Sequence, residues 1–136
     1  MTYLLENDRY LLSIVYANGI LNVKIEGSIN LDDSYIIWQK ISEKSTYFSC
    51  KRIFIKSDLE SIDRSHAFQY KDLFDELCTP WTFKIAWAEE NPQNRENIRY
   101  IGRVIGYWGL NNISYVDSED SAKDWLLETR KLTGSY

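Results

Sequence analysis

The stretch Lys51-Arg52-Ile53-Phe54-Ile55-Lys56-Ser57-Asp58-Leu59-Glu60-Ser61-Ile62-Asp63-Arg64-Ser65-His66-Ala67 decides the fold. Its β-branched and aromatic run, Ile53 to Ile55, predicts a central strand. An acidic, serine-containing loop follows. Asp63 or Ser65 is then placed to cap a helix carrying Phe68, Leu73, Phe74 and Leu77. In open α/β sheets function gathers at the carboxyl ends of strands, which makes this loop the first candidate site.

On the N-terminal side, Leu11–Ala17 and Ile20–Glu26 flank Asn18-Gly19, the dipeptide that favours a type I′ hairpin turn. Leu21, Val23 and Ile25 alternate with Asn22, Lys24 and Glu26, so one face of that strand is buried and the other wet. Asn30 or Asp32 caps a helix from about 32 to 46, with Tyr35, Trp38 and Ile41 on one face. On the C-terminal side, Cys78-Thr79-Pro80-Trp81 stops the helix after Leu77, and Phe83–Ala88 reads as a strand. Ile98, Ile101, Ile105 and Trp108 recur at helical spacing from about 95 to 107. Ile113–Val116 is a short strand, and Asp117 or Ser118 caps a last helix whose inner face is Ala122, Trp125 and Leu126. The order ββαβαβαβα predicts an α/β fold, with a mixed, mostly parallel sheet, an N-terminal β-hairpin and covering helices. One domain spans 1–136, with 131–136 a frayed tail.

Bulk properties exclude some functions. A net charge of −4 argues against nucleic acid as a partner, since phosphates demand a concentrated positive field. No apolar run approaches the length of a membrane span, and charges interrupt the first residues where a signal peptide would be apolar, so a cytoplasmic protein is expected. Cys50 and Cys78 lack a CxxC pattern and are expected as reduced, buried thiols. No P-loop, GxGxxG, HExxH or GxSxG is present, and neither a cofactor nor a metal is expected.

Several segments together resemble the SpoIIAA-like branch of the STAS/SEC14-type proteins. Gly27-Ser28-Ile29-Asn30-Leu31-Asp32-Asp33-Ser34-Tyr35 is similar to the family's lead into its first helix. The strands Lys51–Ile55 and Lys84–Trp87 follow in order, and Tyr115–Leu126 resembles the family's closing strand and its E-x-A-x-x-W-L helix. The resemblance implies that fold. It also sets Asp63-Arg64-Ser65-His66 in the register of the D-S-S-G turn of anti-sigma-factor antagonists, with Ser65 at the phosphoacceptor position, Arg64 in place of the first serine and His66 in place of the glycine. A non-catalytic regulatory or protein-interaction module is then expected, its partner meeting Asp58, Glu60, Asp63, Arg64 and His66 and its switch at Ser65. A phosphate there would lie at a helix N-terminus, and the plain alternative is that Ser65 only caps the helix.

Other residues carry competing readings. Ser65 and His66 are sequence neighbours and do not face each other on a helix, so they do not form a nucleophile and its base. Arg95, Arg99 and Arg103 share a helix side with Gly102 and Gly106, either as a guanidinium-flanked groove for an anion or as tight packing against the sheet or a homodimer mate. The SEC14-type relationship implies a second function, an apolar small-molecule carrier whose cavity Trp81, Trp87, Tyr107 and Trp108 would line. Glu89 and Glu90 are adjacent on a strand end, so at most one enters a given site, and an enzyme drawing on Arg99 and Glu89 is the third reading.

Overall fold

The computed structural model describes residues 2–110 and 112–128, and the expected frayed tail at 131–136 lies outside them. The strands are β1 (Thr2–Glu6), β2 (Tyr10–Ala17), β3 (Ile20–Gly27), β4 (Arg52–Leu59), β5 (Lys84–Glu89) and β6 (Ile113–Tyr115). The helices are α1 (Leu31–Phe48), α2 (His66–Leu77), α3 (Arg95–Trp108) and α4 (Glu119–Leu127). The six strands lie in sequence order in one sheet; β1 to β3 pair antiparallel and β3 to β6 parallel. The expected α/β class with a mixed sheet is present. The order differs from expectation by one strand, β1, which pairs with β2. Its residues are all exposed or half-buried, so no hydrophobic pattern announces it.

Local chemistry explains the elements. Asn18 and Gly19 both have positive φ, as the type I′ turn between β2 and β3 requires. Asn30 and Asp33 form a reciprocal capping box at the start of α1, and Ser118 accepts from Ser121 N to cap α4.

Right-handed crossovers between sequential parallel strands put their helices on one face. Accordingly, Ile37, Trp38 and Ile41 of α1, Tyr70 and Phe74 of α2, and Ile98, Ile101 and Ile105 of α3 share a core with Val23, Ile25, Ile53, Ile55, Ile85 and Trp87. Helix α4 takes the opposite face, where Ala122 and Leu126 pack on Ile20, Phe54, Ala86 and Ala88. Strand β4 is therefore buried on both sides, which is why Ile53-Phe54-Ile55 reads as a continuous apolar run. Arg52 Nε and Lys84 Nζ donate to the carbonyl of Leu126, and Lys84 also to that of Trp125, placing positive charge at the C-terminal end of α4.

Candidate functional site

The carboxyl ends of β4 and β5 are joined by a buried polar network. Glu89, 2% exposed, accepts through Oε1 from the Ser57 hydroxyl and through Oε2 from Leu59 N and Asn91 N. Trp87 Nε1 donates to Ser57 Oγ at 2.8 Å. Asn94, also buried, accepts from Ile62 N and donates to the Leu59 carbonyl, which Asn91 also reaches. Asn97 Nδ2 donates to Ile62 O at 2.8 Å. The connector from Glu89 to Asn97 thus bolts the loop after β4 from behind. Glu89 is held by donors on all sides and is structural; Glu90 is exposed, 3.9 Å from Lys56 Nζ. Only one of the two adjacent glutamates, Glu89, enters the network, as strand alternation expects.

Held in this way, the loop shows solvent a polar tip. Asp58, Glu60, Asp63, Arg64 and Ser65 are exposed and His66 is half-buried, while Leu59 and Ile62 point inward. Asp63 is the effective cap: Oδ1 accepts from Ser65 N at 2.9 Å and from the Ser65 hydroxyl. Ser65, by contrast, makes no side-chain cap to α2. The Ser65 hydroxyl bond, outweighing a small desolvation, holds the Asp63 carboxyl below the ordinary carboxylate range. His66 Nδ1 lies 3.2 Å from the same Asp63 oxygen. Ser65 and His66 therefore meet at Asp63 instead of each other. Of the apolar residues carried by α2, Phe68 is exposed, whereas Leu73 and Phe74 are buried. Arg64 stacks on Tyr100, 5.0 Å from its ring centre, and Arg103 reaches the same ring at 5.9 Å, which ties the tip to α3.

The arginine and glycine positions divide. Gly102, Gly106, Arg99 and Arg103 line one groove of about 490 Å³ between α3 and β6, with Trp87, Ile98, Leu110, Ile113 and Tyr115. Arg95 does not join them; it donates to the carbonyls of Glu89 and Glu90, an i−6 and i−5 reach that helical spacing does not reveal. Arg99 lies over the Tyr115 ring at 4.5 Å. Burial pushes the Tyr115 hydroxyl above the ordinary phenol value against the opposing pull of Arg95 and Arg99. Glu96 pairs with both groove arginines, at 3.3 Å from Arg99 and 3.6 Å from Arg103.

The four aromatic residues expected to line one cavity do not converge. Trp87 is buried in the core and on the groove floor, and Trp81 packs edge-on against Phe74 with its Nε1 donating to Asp75. Tyr107 is 84% and Trp108 51% exposed. In the core Trp38 packs edge-on to Tyr70 and Phe74, stacks on Phe83 and meets Trp87 at a tilt. Cys50 is buried as expected, but Cys78, the residue that ends α2 with φ +65, is exposed. Among the described residues no group of His, Cys, Asp and Glu gathers to hold a metal ion, and no helix is long and apolar enough to cross a membrane.

Sequence reasoning missed Ser57, Asn91, Asn94 and Asn97. The only local signal is asparagine at every third position from 91 to 97. No family model and no curated protein matches the chain.

Proposed function

We propose that the protein is a non-catalytic regulatory module of SpoIIAA-like, STAS/SEC14-type architecture, which offers the tip from Asp58 to His66 to a protein partner. One observation carries this reading: the backbone of the tip is fixed from behind by Asn91, Asn94 and Asn97, while Asp63, Arg64 and Ser65 stay exposed. A rigid base with an exposed polar crown binds without first having to order itself.

Ser65 is the switch in this reading. Its hydroxyl donates to Asp63, the group that caps the turn. A phosphate on Ser65 would replace a donor with a dianion against that carboxylate, breaking the cap and reversing the charge balance beside Arg64. Helices on one face of a sheet whose parallel strands run in sequence order support the architectural half of the reading.

Affinity capture from the native host, using wild-type chain, Ser65→Ala and Ser65→Asp as baits, tests it. The reading expects a partner held by wild type and Ser65→Ala and lost with Ser65→Asp. If all three baits retain the same proteins, the switch is lost; if Arg64→Ala with Glu60→Ala also changes nothing, the tip is not the contact surface.

A further inference from the structure

The groove between α3 and β6 has a feature that the fold does not explain. Glycine inside a helix is destabilising by roughly 0.5–1 kcal/mol relative to alanine, so two of them, one turn apart, require a reason. Backbone conformation is not that reason, since neither Gly102 nor Gly106 has a positive φ. Internal packing is not the reason either. A Cβ on Gly102 would meet Ile113 Cδ1 at 3.8 Å, an ordinary contact, and one on Gly106 would meet nothing within 4 Å. The missing side chains leave open the wall of a groove whose volume falls within the range of small-molecule sites.

The lining has two characters. Trp87, Ile98, Leu110 and Ile113 make an apolar floor. At the polar side the Arg99 guanidinium lies over the Tyr115 ring and donates to Glu96 at 3.3 Å. Arg99 and Arg103, which share Glu96 as their partner, are among the described residues the only charged ones of the lining, so the groove wall itself is positive. That charge, together with a planar fork, suits a single carboxylate. A phosphate dianion fits less well: the groove runs along the C-terminal half of α3, where the helix dipole is negative and opposes a dianion about twice as strongly as a monoanion.

We infer that this groove is a binding site for a small organic monocarboxylate with an apolar body, the carboxylate on Arg99 and the body lying on Trp87 and Ile113 against the bare helix wall at Gly102 and Gly106. The site is separate from the partner-binding role proposed for Asp58 to His66 and does not depend on it.

The test uses the full chain and three probe pairs: benzoate, octanoate and 2-naphthoate, each against its neutral alcohol. Amide shifts are followed by NMR titration, with dissociation constants from calorimetry. At least one carboxylate should saturably shift Gly102, Gly106, Ile113 and Tyr115, and should bind about tenfold or more tighter than its alcohol, the ratio expected when a charged hydrogen bond is lost. Arg99→Gln should abolish that preference. Gly106→Leu, which plugs the wall from open space, should weaken acid and alcohol alike. If no probe shifts these amides, or the alcohols bind as tightly as the acids, or Gly106→Leu leaves binding intact, the assignment is overturned. Arg99 is exposed, so its variant tests the site without disturbing the core.

Discussion

Trp87 Nε1 donates to Ser57 Oγ at 2.8 Å, and Ser57 passes its own proton donor to the buried Glu89 carboxylate. The indole on the groove floor is thereby fixed by the same network that holds the loop after β4. Substituting Glu89 by Ala leaves the Leu59 and Asn91 amides and the Ser57 hydroxyl without their acceptor. Two of these donors, the Leu59 amide and the Ser57 hydroxyl, are buried, and at about 1–3 kcal/mol for each left unpaired Glu89→Ala should destabilise by about 2 kcal/mol or more. Ser57→Ala should cost about 1–2 kcal/mol, and urea titration reads both.

Asp33 is 3% exposed and sits at the start of α1. Burial alone would raise its pKa, but hydrogen bonds from Arg9 and from Asn30 N, with the Arg9 charge, hold it below the usual 3.8. A folded pKa below the unfolded one means that this contribution is complete above the unfolded value and disappears as pH falls through the folded value. Between about pH 5 and pH 2, Asp33→Asn should therefore lose less stability than wild type. Thermal melts across that range read it, and parallel curves would refute it. Asn30→Ala, which removes the other half of the capping box, should cost about 1 kcal/mol at neutral pH.

Two glycines should respond in opposite directions. A Cβ at Gly27, with φ +113, would lie 2.3 Å from the Arg9 carbonyl oxygen, so Gly27→Ala should destabilise by at least about 2 kcal/mol. Gly106→Ala meets nothing and should stabilise by up to about 1 kcal/mol. Chemical denaturation of the pair checks both signs. A destabilised Gly106→Ala would mean that packing within the chain needs that glycine.

Cys78 is exposed and Cys50 is buried, with its thiol directed at the Gly19 and Arg52 carbonyls. A thiol reagent should label one cysteine promptly in the native protein and the second only on unfolding. Peptide mapping should place the first label on Cys78.

Much of the fold was legible because it rests on local chemistry. Asn18-Gly19 specifies its turn by permitting positive φ, Asn30 and Ser118 cap their helices through neighbours three residues away, and Ile53-Phe54-Ile55 is apolar on both faces because it is buried on both. The groove was half legible for the same reason, since Arg99, Gly102, Arg103 and Gly106 share one side of a single helix.

Long-range partners decided the rest. Strand β1 has no apolar alternation strong enough to announce it and exists through its pairing with β2. Arg95, in register with Arg99 and Arg103, turns instead to the carbonyls at the end of β5. Nothing in the adjacent pair Glu89-Glu90 says which is buried; the register of β4 and β5, which sets Ser57 opposite Glu89, chooses it. By itself the sequence determined the elements, their order and their caps, because those depend on backbone preferences and neighbours within a few residues. Only the tertiary structure decided which polar side chains are structural and which are free to act, because that depends on partners some 30 residues away.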